Sequence, residues 1–166
     1  MKKKSEEISQ PVPLAPAEKR ILAVLQRDAS LSVAEVAEQV HLSPAQCWRR
    51  IQRLEEAGVI RRRVALLDAQ RLNLGVTVFV SIKTARHDEA WFRRFNAVVC
   101  AIPEVVEFHR MSGEVDYLLK VVVPDIRRYD AVYKRLIAGT GLSDVSSSFA
   151  MEQLKQTTEL PLDYAD

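Results

Sequence analysis

Six arginines lie within one short stretch of the 166-residue chain, against only two glutamates, Glu55 and Glu56. These arginines are Arg49, Arg50, Arg53, Arg61, Arg62 and Arg63. A guanidinium group donates hydrogen bonds as a planar fork, which matches phosphate oxygens and also the O6 and N7 atoms of guanine. Because the net charge of the whole chain is only +2, binding to a polyanion depends on this local concentration of charge. The stretch therefore predicts binding to nucleic acid.

The first three arginines fall on one face of a predicted helix. Ser43 and Gln46 have the spacing of a capping box, with Pro44 at the first helical position, so the helix begins there and ends at Gly58. Its apolar face comprises Cys47, Ile51 and Leu54, and its polar face comprises Gln46, Arg49, Arg50 and Arg53. Both sets follow helical periodicity. A solvated basic face on a bundle helix would show the same pattern, so the neighbouring elements must decide between the two interpretations.

A second capped helix precedes the basic one. Ser32 and Glu35 repeat the capping-box spacing and predict a helix that ends before His41, which leaves a turn of about three residues. Two capped helices joined by a short turn, with the second one basic on its outer face, are typical of a helix-turn-helix. The motif spans Val33 to Gln52, and its second helix is predicted to enter the major groove of DNA.

The predicted DNA contacts extend beyond this helix. They are Ser43, Gln46, Arg49, Arg50, Arg53, Arg61, Arg62 and Arg63. The run Val59–Leu67 is predicted to form a strand, which would present its three arginines to phosphates as a wing. Trp48 adjoins the apolar face, and we expect it in the core together with Cys47. Arginines packed inward, or held by neighbouring carboxylates, would contradict the DNA-binding interpretation.

The rest of the chain alternates between strand and helix patterns. Pro16–Arg27 predicts a helix before the motif, and Asp68–Gly75 predicts a hinge after it. The predicted elements that follow are strand Val76–Lys83, helix Glu89–Ile102, strands Val105–Ser112 and Tyr117–Val123, a helix from Asp125 to Leu136, and strand Val145–Leu154. This order is that of a ferredoxin-like βαββαβ unit. We therefore predict an α+β protein with a winged helix-turn-helix domain over 14–67, a hinge strand over 68–75 and a βαββαβ domain over 76–166.

The predicted sheet carries both of its helices on one face. Its other face stays bare, and an apolar sheet face needs a covering layer. We therefore expect a homodimer that forms through the sheet of the second domain.

No set of residues in the sequence points to catalysis or to a metal. Cys47 and Cys100 are far apart and the three histidines are scattered, so neither a disulfide nor a zinc site is predicted. No phosphate loop and no G-x-S-x-G motif occurs. We expect a protein that is not an enzyme and holds no metal or cofactor. Residues 1–13 predict a disordered leader without a signal-peptide core, and no apolar run approaches the ~18 residues of a membrane span, so we expect a cytoplasmic protein.

Four segments carry a resemblance to a known family. They are Leu42–Ile51, Arg53–Ile60, Ser112–Tyr117 and Lys155–Leu162. From Leu14 to Leu162 the chain resembles the Lrp/AsnC family, the leucine-responsive and asparagine-synthetase regulators known as feast/famine transcription factors. The resemblance implies a regulator that binds double-stranded DNA as a dimer, often assembled into tetramers or octamers. It also implies an amino-acid effector that binds to the second domain near the contacts between dimers.

The resemblance further implies an effector pocket in which the loop at Gly113 faces the last strand. Its residues would be Met111, Gly113, Glu114, Asp116, Ser147, Ser148 and Ala150. Carboxylates can accept from the ammonium of an amino acid, while backbone amides and serine hydroxyls can donate to its carboxylate. From the residues alone, a solvated acidic turn is the better explanation of Glu114 and Asp116, and only the resemblance favours the pocket.

Within the family, three segments most resemble the cysteine-responsive regulators of cysteine catabolism. They are Ser81–Thr84, Arg127–Asp130 and Gly141–Gln153, and they imply cysteine as the effector. Two other functions stay open at this point: an architectural DNA-binding protein without an effector, and an amino-acid-sensing regulatory subunit of an enzyme. The arginine face has no explanation in the second of these.

Overall fold

The computed structural model describes residues 10–86, 88–138 and 141–165, in two compact units. One unit runs to Ala65 and also includes the segment from Lys155, and the other is Leu66–Leu154. The end of the chain therefore groups with the first unit, whereas the sequence analysis placed it in the second domain. Most of the predicted leader lies outside the described residues, and 10–13 have no regular secondary structure.

The first unit is built from three helices, α1 (Pro16–Arg27), α2 (Val33–Gln39) and α3 (Pro44–Glu56). Both predicted capping boxes are present at the starts of α2 and α3, where they satisfy backbone amides that have no partner within the helix. The three helices bury one apolar cluster, which is Ile21, Leu22, Val36, Ala37, Val40, Cys47, Ile51 and Leu54. The helix-turn-helix is therefore held by a small three-helix core.

The strand predicted over Val59–Leu67 is absent from the described residues. Gly58 adopts a positive φ of 70° and ends α3, and the amide of Ile60 then donates to the carbonyl of Leu54. Residues 61–73 are exposed, and none of them pairs with a strand that the structure describes. The prediction was wrong because β-branched residues favour extended backbone, but a strand also needs a neighbour to accept and donate its hydrogen bonds.

The second unit has the predicted βαββαβ order. Its elements are β1 (Val76–Lys83), α4 (Glu89–Cys100), β2 (Val105–Arg110), β3 (Tyr117–Val123), α5 (Ile126–Ile137) and β4 (Asp144–Phe149). The strands form an antiparallel sheet in the order β2-β3-β1-β4. The ferredoxin-like prediction and the α+β class are thereby confirmed.

Helices α4 and α5 cover one face of this sheet. Their buried side chains, among them Phe95, Val132 and Leu136, form one cluster with alternate residues of the strands, such as Val80 and Leu119. The residues between them in the strands point to the opposite face, where Phe79 keeps 39% of its surface exposed. No helix among the described residues covers this second face, which we call the bare face, as expected.

The last strand is shorter than predicted. It ends at Phe149, and the amide of Ala150 makes one more bond, to the carbonyl of Thr77. Strand β1 begins at Val76, so it offers no further acceptors beyond this point. The chain then continues without regular structure until a single turn of 3-10 helix at Leu162–Tyr164, where Leu162 packs against the core of the first unit.

Candidate nucleic-acid interface and effector site

The outward face of α3 carries fewer unpaired arginines than the sequence suggests. Arg49 is exposed and makes no ion pair with any residue that the structure describes. Trp48, which we expected in the core, is 53% exposed beside it. The prediction for Trp48 was wrong because the core cluster closes over Cys47, Ile51 and Leu54, and residue 48 lies about 100° away from Cys47 around the helix. The exposed face therefore carries an aromatic ring next to a guanidinium that has no ion-pair partner in the described part of the chain.

Arg50 and Arg53 turn instead toward the start of α1. Nη1 of Arg53 donates to Oε1 of Glu18, and Nη1 of Arg50 lies 3.6 Å from the same oxygen. Nη2 of Arg53 also donates to the carbonyl of Pro13 at 3.3 Å. Two of the side chains predicted to contact DNA are thus held by a carboxylate, which contradicts the DNA-binding interpretation at these two positions but not at Arg49. We withdraw Arg50 and Arg53 as base-reading residues.

Glu18 is a buried carboxylate to which the sequence analysis gave no role. Its side chain is only 1% exposed, and Oε2 accepts from the amide of Ala15 at 2.8 Å, which caps the start of α1. Burial by itself raises the pKa of this carboxyl, but the bonds from Arg53 and Ala15 and the charges of Arg53 and Arg50 outweigh it and hold the pKa below its usual range. The sequence signal was present, because Glu18 lies three residues before the buried Ile21, on the apolar side of its helix.

The other predicted DNA contacts divide into two groups. Ser43 and Gln46 use their side chains reciprocally, each accepting from the other's backbone amide, at 3.3 and 3.2 Å. Arg61 and Arg62 are exposed and have no ion pair within the described parts of the chain, whereas Nη2 of Arg63 lies 3.0 Å from Oε1 of Glu55. Arg61 and Arg62 therefore remain available to a phosphate backbone.

Cys47 is fully buried in the core of the first unit, as predicted. Burial raises the pKa of its thiol, so the neutral form that packs in an apolar core is favoured.

The predicted effector loop joins β2 to β3 and is braced from within. The amide of Met111 donates to the carbonyl of Asp116 at 2.8 Å, and Gly113 adopts a φ of 111°, which favours glycine. Oδ2 of Asp116 accepts from the amide of Thr84 at 2.8 Å, which ties the loop to the end of β1. Asp116 therefore has a structural role. The side chain of Glu114 is exposed and has no partner among the described residues, so it is the free carboxylate of this loop.

The predicted pocket residues of β4 do not share a face, and they lie at increasing distances from the loop. Ser147 pairs with Val80 and contacts the hydroxyl of Tyr129 on the helix-covered face, whereas Ser148 pairs with Phe79 on the bare face. The loop reaches β1 at Ile82, to which the Asp116 amide donates, and Ala150 reaches it at Thr77. Counted along β1 from Ile82, Ser147, Ser148 and Ala150 lie two, three and five residues away, which correspond to about 7, 10 and 17 Å. Within one chain, Ala150 is therefore far from the loop, and Ser147 and Ser148 point to opposite faces of the sheet.

The bare face of the sheet carries a row of side chains across all four strands. Glu107 pairs with Lys120, Lys120 with Phe79, and Phe79 with Ser148. Nζ of Lys120 donates to Oε1 of Glu107 at 3.0 Å, and this contact is the main cause that lowers the pKa of Glu107. In this row the exposed ring of Phe79 lies between Lys120 and Ser148. The charge of Lys120 is balanced by Glu107 of the same chain.

Two absences apply to the residues that the structure describes. No group of three or more His, Cys, Asp or Glu side chains among them is arranged to hold a metal ion. None of the described helices is both long and apolar enough to cross a bilayer.

Two family models match the chain. One is described as the Lrp/AsnC ligand binding domain and matches residues 77–160, and the other is described as a winged helix-turn-helix DNA-binding domain and matches residues 14–61. The two matches fall on the sheet and on the three-helix core, respectively.

Similar proteins cover nearly the whole chain. The DNA-binding transcriptional activator DecR of Escherichia coli is 51% identical over 147 residues, which are 88% of this chain and 97% of that protein. The glutamate uptake regulatory protein of Zymomonas mobilis is 50% identical over 143 residues, 86% of this chain and 87% of its own. Among solved structures, an AsnC family regulator from Agrobacterium tumefaciens is 62% identical with a TM-score of 0.88, and the match covers 91% of this chain and 99% of that one. A transcriptional regulator from Neisseria meningitidis in complex with L-Met is 36% identical with a TM-score of 0.86, and the match covers 90% and 97%.

Proposed function

This chain belongs to the Lrp/AsnC family of transcriptional regulators, and we propose that it reads its operator with a narrow face of α3 centred on Arg49. The observation that carries the proposal is the contrast among the three arginines of α3. Arg49 is exposed and unpaired in the described part of the chain, while Arg50 and Arg53 are bound to Glu18. An unpaired guanidinium can bind O6 and N7 of guanine without first breaking an ion pair.

The neighbours of Arg49 on the outward face would complete the contact. Recognition helices approach base edges with their N-terminal residues, which here include Ser43, Gln46 and Trp48. The capping box uses one oxygen of Gln46 and leaves its amide nitrogen free to donate. The ring of Trp48 can contact a thymine methyl, and Arg61 and Arg62 would bind phosphates without reading sequence.

The second unit would supply the response to a small amino acid. Glu114 is the free carboxylate of the loop and would accept from the ammonium, while backbone amides near Gly113 would donate to the carboxylate. Ala150 lies about 17 Å along the sheet from this loop in the same chain, so the pocket would be completed by a second copy. The complex of the Neisseria meningitidis regulator with L-Met supports an amino acid as the class of ligand. Cysteine is our first candidate, on the resemblance of Gly141–Gln153 to cysteine-responsive regulators.

Self-association through the bare face of the sheet would bring two such chains together. Phe79 lies near the centre of that face and is large enough to contribute a buried anchor. Dimers formed in this way would assemble further into tetramers or octamers. An amino acid that binds one assembly more tightly than another would then shift the population of DNA-bound states.

The proposal is tested with duplexes selected from a random pool by the full-length protein. Replacing Arg49 with alanine should cost ~1–3 kcal/mol on the selected duplex and relax the preference at one base position. Arg20, exposed on α1, provides the matched control. If Arg49→Ala and Arg20→Ala lose the same small amount, α3 does not read DNA through Arg49.

The effector is tested by calorimetric titration with each of the 20 standard amino acids, alongside the particle mass in solution. One or a few amino acids should release heat and change the mass or the DNA affinity. If none does so while DNA binding persists, the architectural function without an effector is favoured instead.

A further inference from the structure

We propose that Glu18 is a positioning residue for DNA recognition, because it withholds Arg50 and Arg53 from the duplex and so sets the discrimination between operator and random DNA. This inference rests on the proposed reading of DNA by α3. It adds a function for Glu18, a carboxylate of α1 that is buried from solvent.

Glu18 engages both arginines, Arg53 through a hydrogen bond and Arg50 through an ion pair alone. Oε1 of Glu18 accepts from Arg53 and also faces Arg50 at 3.6 Å, while Oε2 is occupied by the amide of Ala15. The second terminal nitrogen of Arg53 donates to the Pro13 carbonyl. Arg53 thus has partners at both terminal nitrogens, although 51% of its side chain is exposed.

The exposure of the two arginines matters for this argument. Their side chains are 38% and 51% exposed, so a phosphate could approach them from solvent if the carboxylate were absent. Glu18 itself is 1% exposed. DNA therefore cannot displace the arginines by exchanging one exposed anion for another, because a buried carboxylate left without its partner is costly.

Removing the charge of Glu18 should therefore increase binding to DNA of any sequence. Each guanidinium that gains a phosphate releases counterions and adds about 0.9 to the slope of log affinity against log salt. Phosphate contacts carry no sequence information. Affinity for random duplex should then rise more than affinity for operator, and the ratio of the two should fall.

The main variant is Glu18→Gln, because its amide oxygen can still accept from the amide of Ala15 while the charge is lost. Affinity is measured for a selected operator and for a random duplex at several salt concentrations. We expect the salt slope on random duplex to steepen by about one to two and the operator preference to fall several-fold. Glu18→Asp keeps the charge and should keep the wild-type slope. A parallel loss of affinity on both duplexes with an unchanged slope would overturn the proposal, since Glu18 would then only support the fold.

Arg50→Gln keeps the proposal testable if Glu18→Gln does not fold, because Glu18 retains Arg53 in that variant. The operator affinity of Arg50→Gln should stay within about twofold of wild type. A loss of tenfold or more confined to the operator would mean that Arg50 reads DNA and would overturn the proposal. Failure of the proposed function is distinguishable, because the wild-type chain would then show no preference for any selected duplex.

Discussion

Oε1 of Glu18 accepts a hydrogen bond from Nη1 of Arg53, 35 residues further along the chain, and this contact fixes the start of α1 against the flank of α3. The same oxygen faces Arg50. The carboxylate is almost completely buried, while the guanidinium groups reach solvent. The contact therefore joins α1 to α3 in the first unit and also neutralises part of the positive charge of α3.

The first prediction concerns the stability that this contact provides. Arg53→Ala would leave a buried carboxylate with one weaker partner, Arg50. Breaking buried pairs costs ~3–5 kcal/mol, and the exposure of Arg53 reduces this to about 1–3 kcal/mol here. Urea denaturation measures the change in the free energy of unfolding. Arg20→Ala, on the surface of α1, should change it by less than ~0.5 kcal/mol, and an equally small change for Arg53→Ala would contradict the prediction.

The second prediction follows from the lowered pKa of Glu18. A carboxyl whose pKa is lower in the folded state than in the unfolded state stabilises the fold above its ordinary pKa of 4.5, and this stabilisation is lost as the pH falls through the folded-state value. Other carboxyls, including Asp28 and Glu35, are lowered as well. The free energy of unfolding is therefore compared between wild type and Glu18→Gln across pH. The difference should be constant near neutral pH and should shrink below about pH 4.5; a difference independent of pH would contradict the assignment.

Local sequence signals predicted most of the elements. Caps at Ser32 and Ser43, and the two-residue alternation of Val76–Lys83, act over a few residues, and the observed elements begin where these signals lie. The strand predicted at Val59–Leu67 did not form, because a strand depends on more than local signals. Its propensity is local, but the hydrogen bonds of a strand come from a partner that the sequence does not identify.

The sequence predicted the contacts of the candidate site less well than it predicted the fold. Helical spacing correctly placed Arg49, Arg50 and Arg53 away from the apolar side of α3, but it could not place them relative to α1. The decisive contact joins residues 35 positions apart, and it depends on how two helices pack. The same limit applies to the effector loop, because Asp116 was expected to face a ligand and instead bonds the amide of Thr84 across the sheet.

The third prediction concerns the bare face of the sheet. Phe79→Lys would place a charge beside Lys120, its direct neighbour across the strand pair, so an interface formed by this face would lose an aromatic anchor and gain repulsion. We expect the particle mass in sedimentation equilibrium to shift toward the monomer. Ile126→Lys, at a residue 68% exposed at the start of α5, is the control and should leave the mass unchanged. The opposite pattern would place the interface on the helix side.

The fourth prediction concerns the end of the chain, which docks on α1. The Leu160 amide donates to Oε1 of Gln26 at 2.6 Å, and Nε2 of Gln26 donates back to the Leu160 carbonyl at 3.2 Å. Gln26→Ala should therefore speed hydrogen exchange at the Leu160 amide by about five- to tenfold, which corresponds to the ~1 kcal/mol of a typical hydrogen bond. The adjacent ion pair of Arg27 and Glu159 is exposed, so Arg27→Ala should have little effect. Equal exchange rates in both variants would mean that Gln26 does not hold the segment.

The fifth prediction separates the two carboxylates of the effector loop. Asp116→Ala would leave the amide of Thr84, a residue only 6% exposed, without its acceptor, and this should lower the free energy of unfolding by ~1–3 kcal/mol. Asp116→Asn keeps an acceptor oxygen and should recover most of this loss. Glu114→Gln changes an exposed side chain, so the stability should stay within about 0.5 kcal/mol of wild type.

If Glu114 accepts the ammonium of the effector, the Glu114→Gln variant should nevertheless lose at least tenfold in amino-acid affinity, while its DNA affinity without effector is unchanged. Calorimetric titration of the three variants checks this, and a variant at Glu114 that binds the amino acid normally would move the ammonium contact away from the loop.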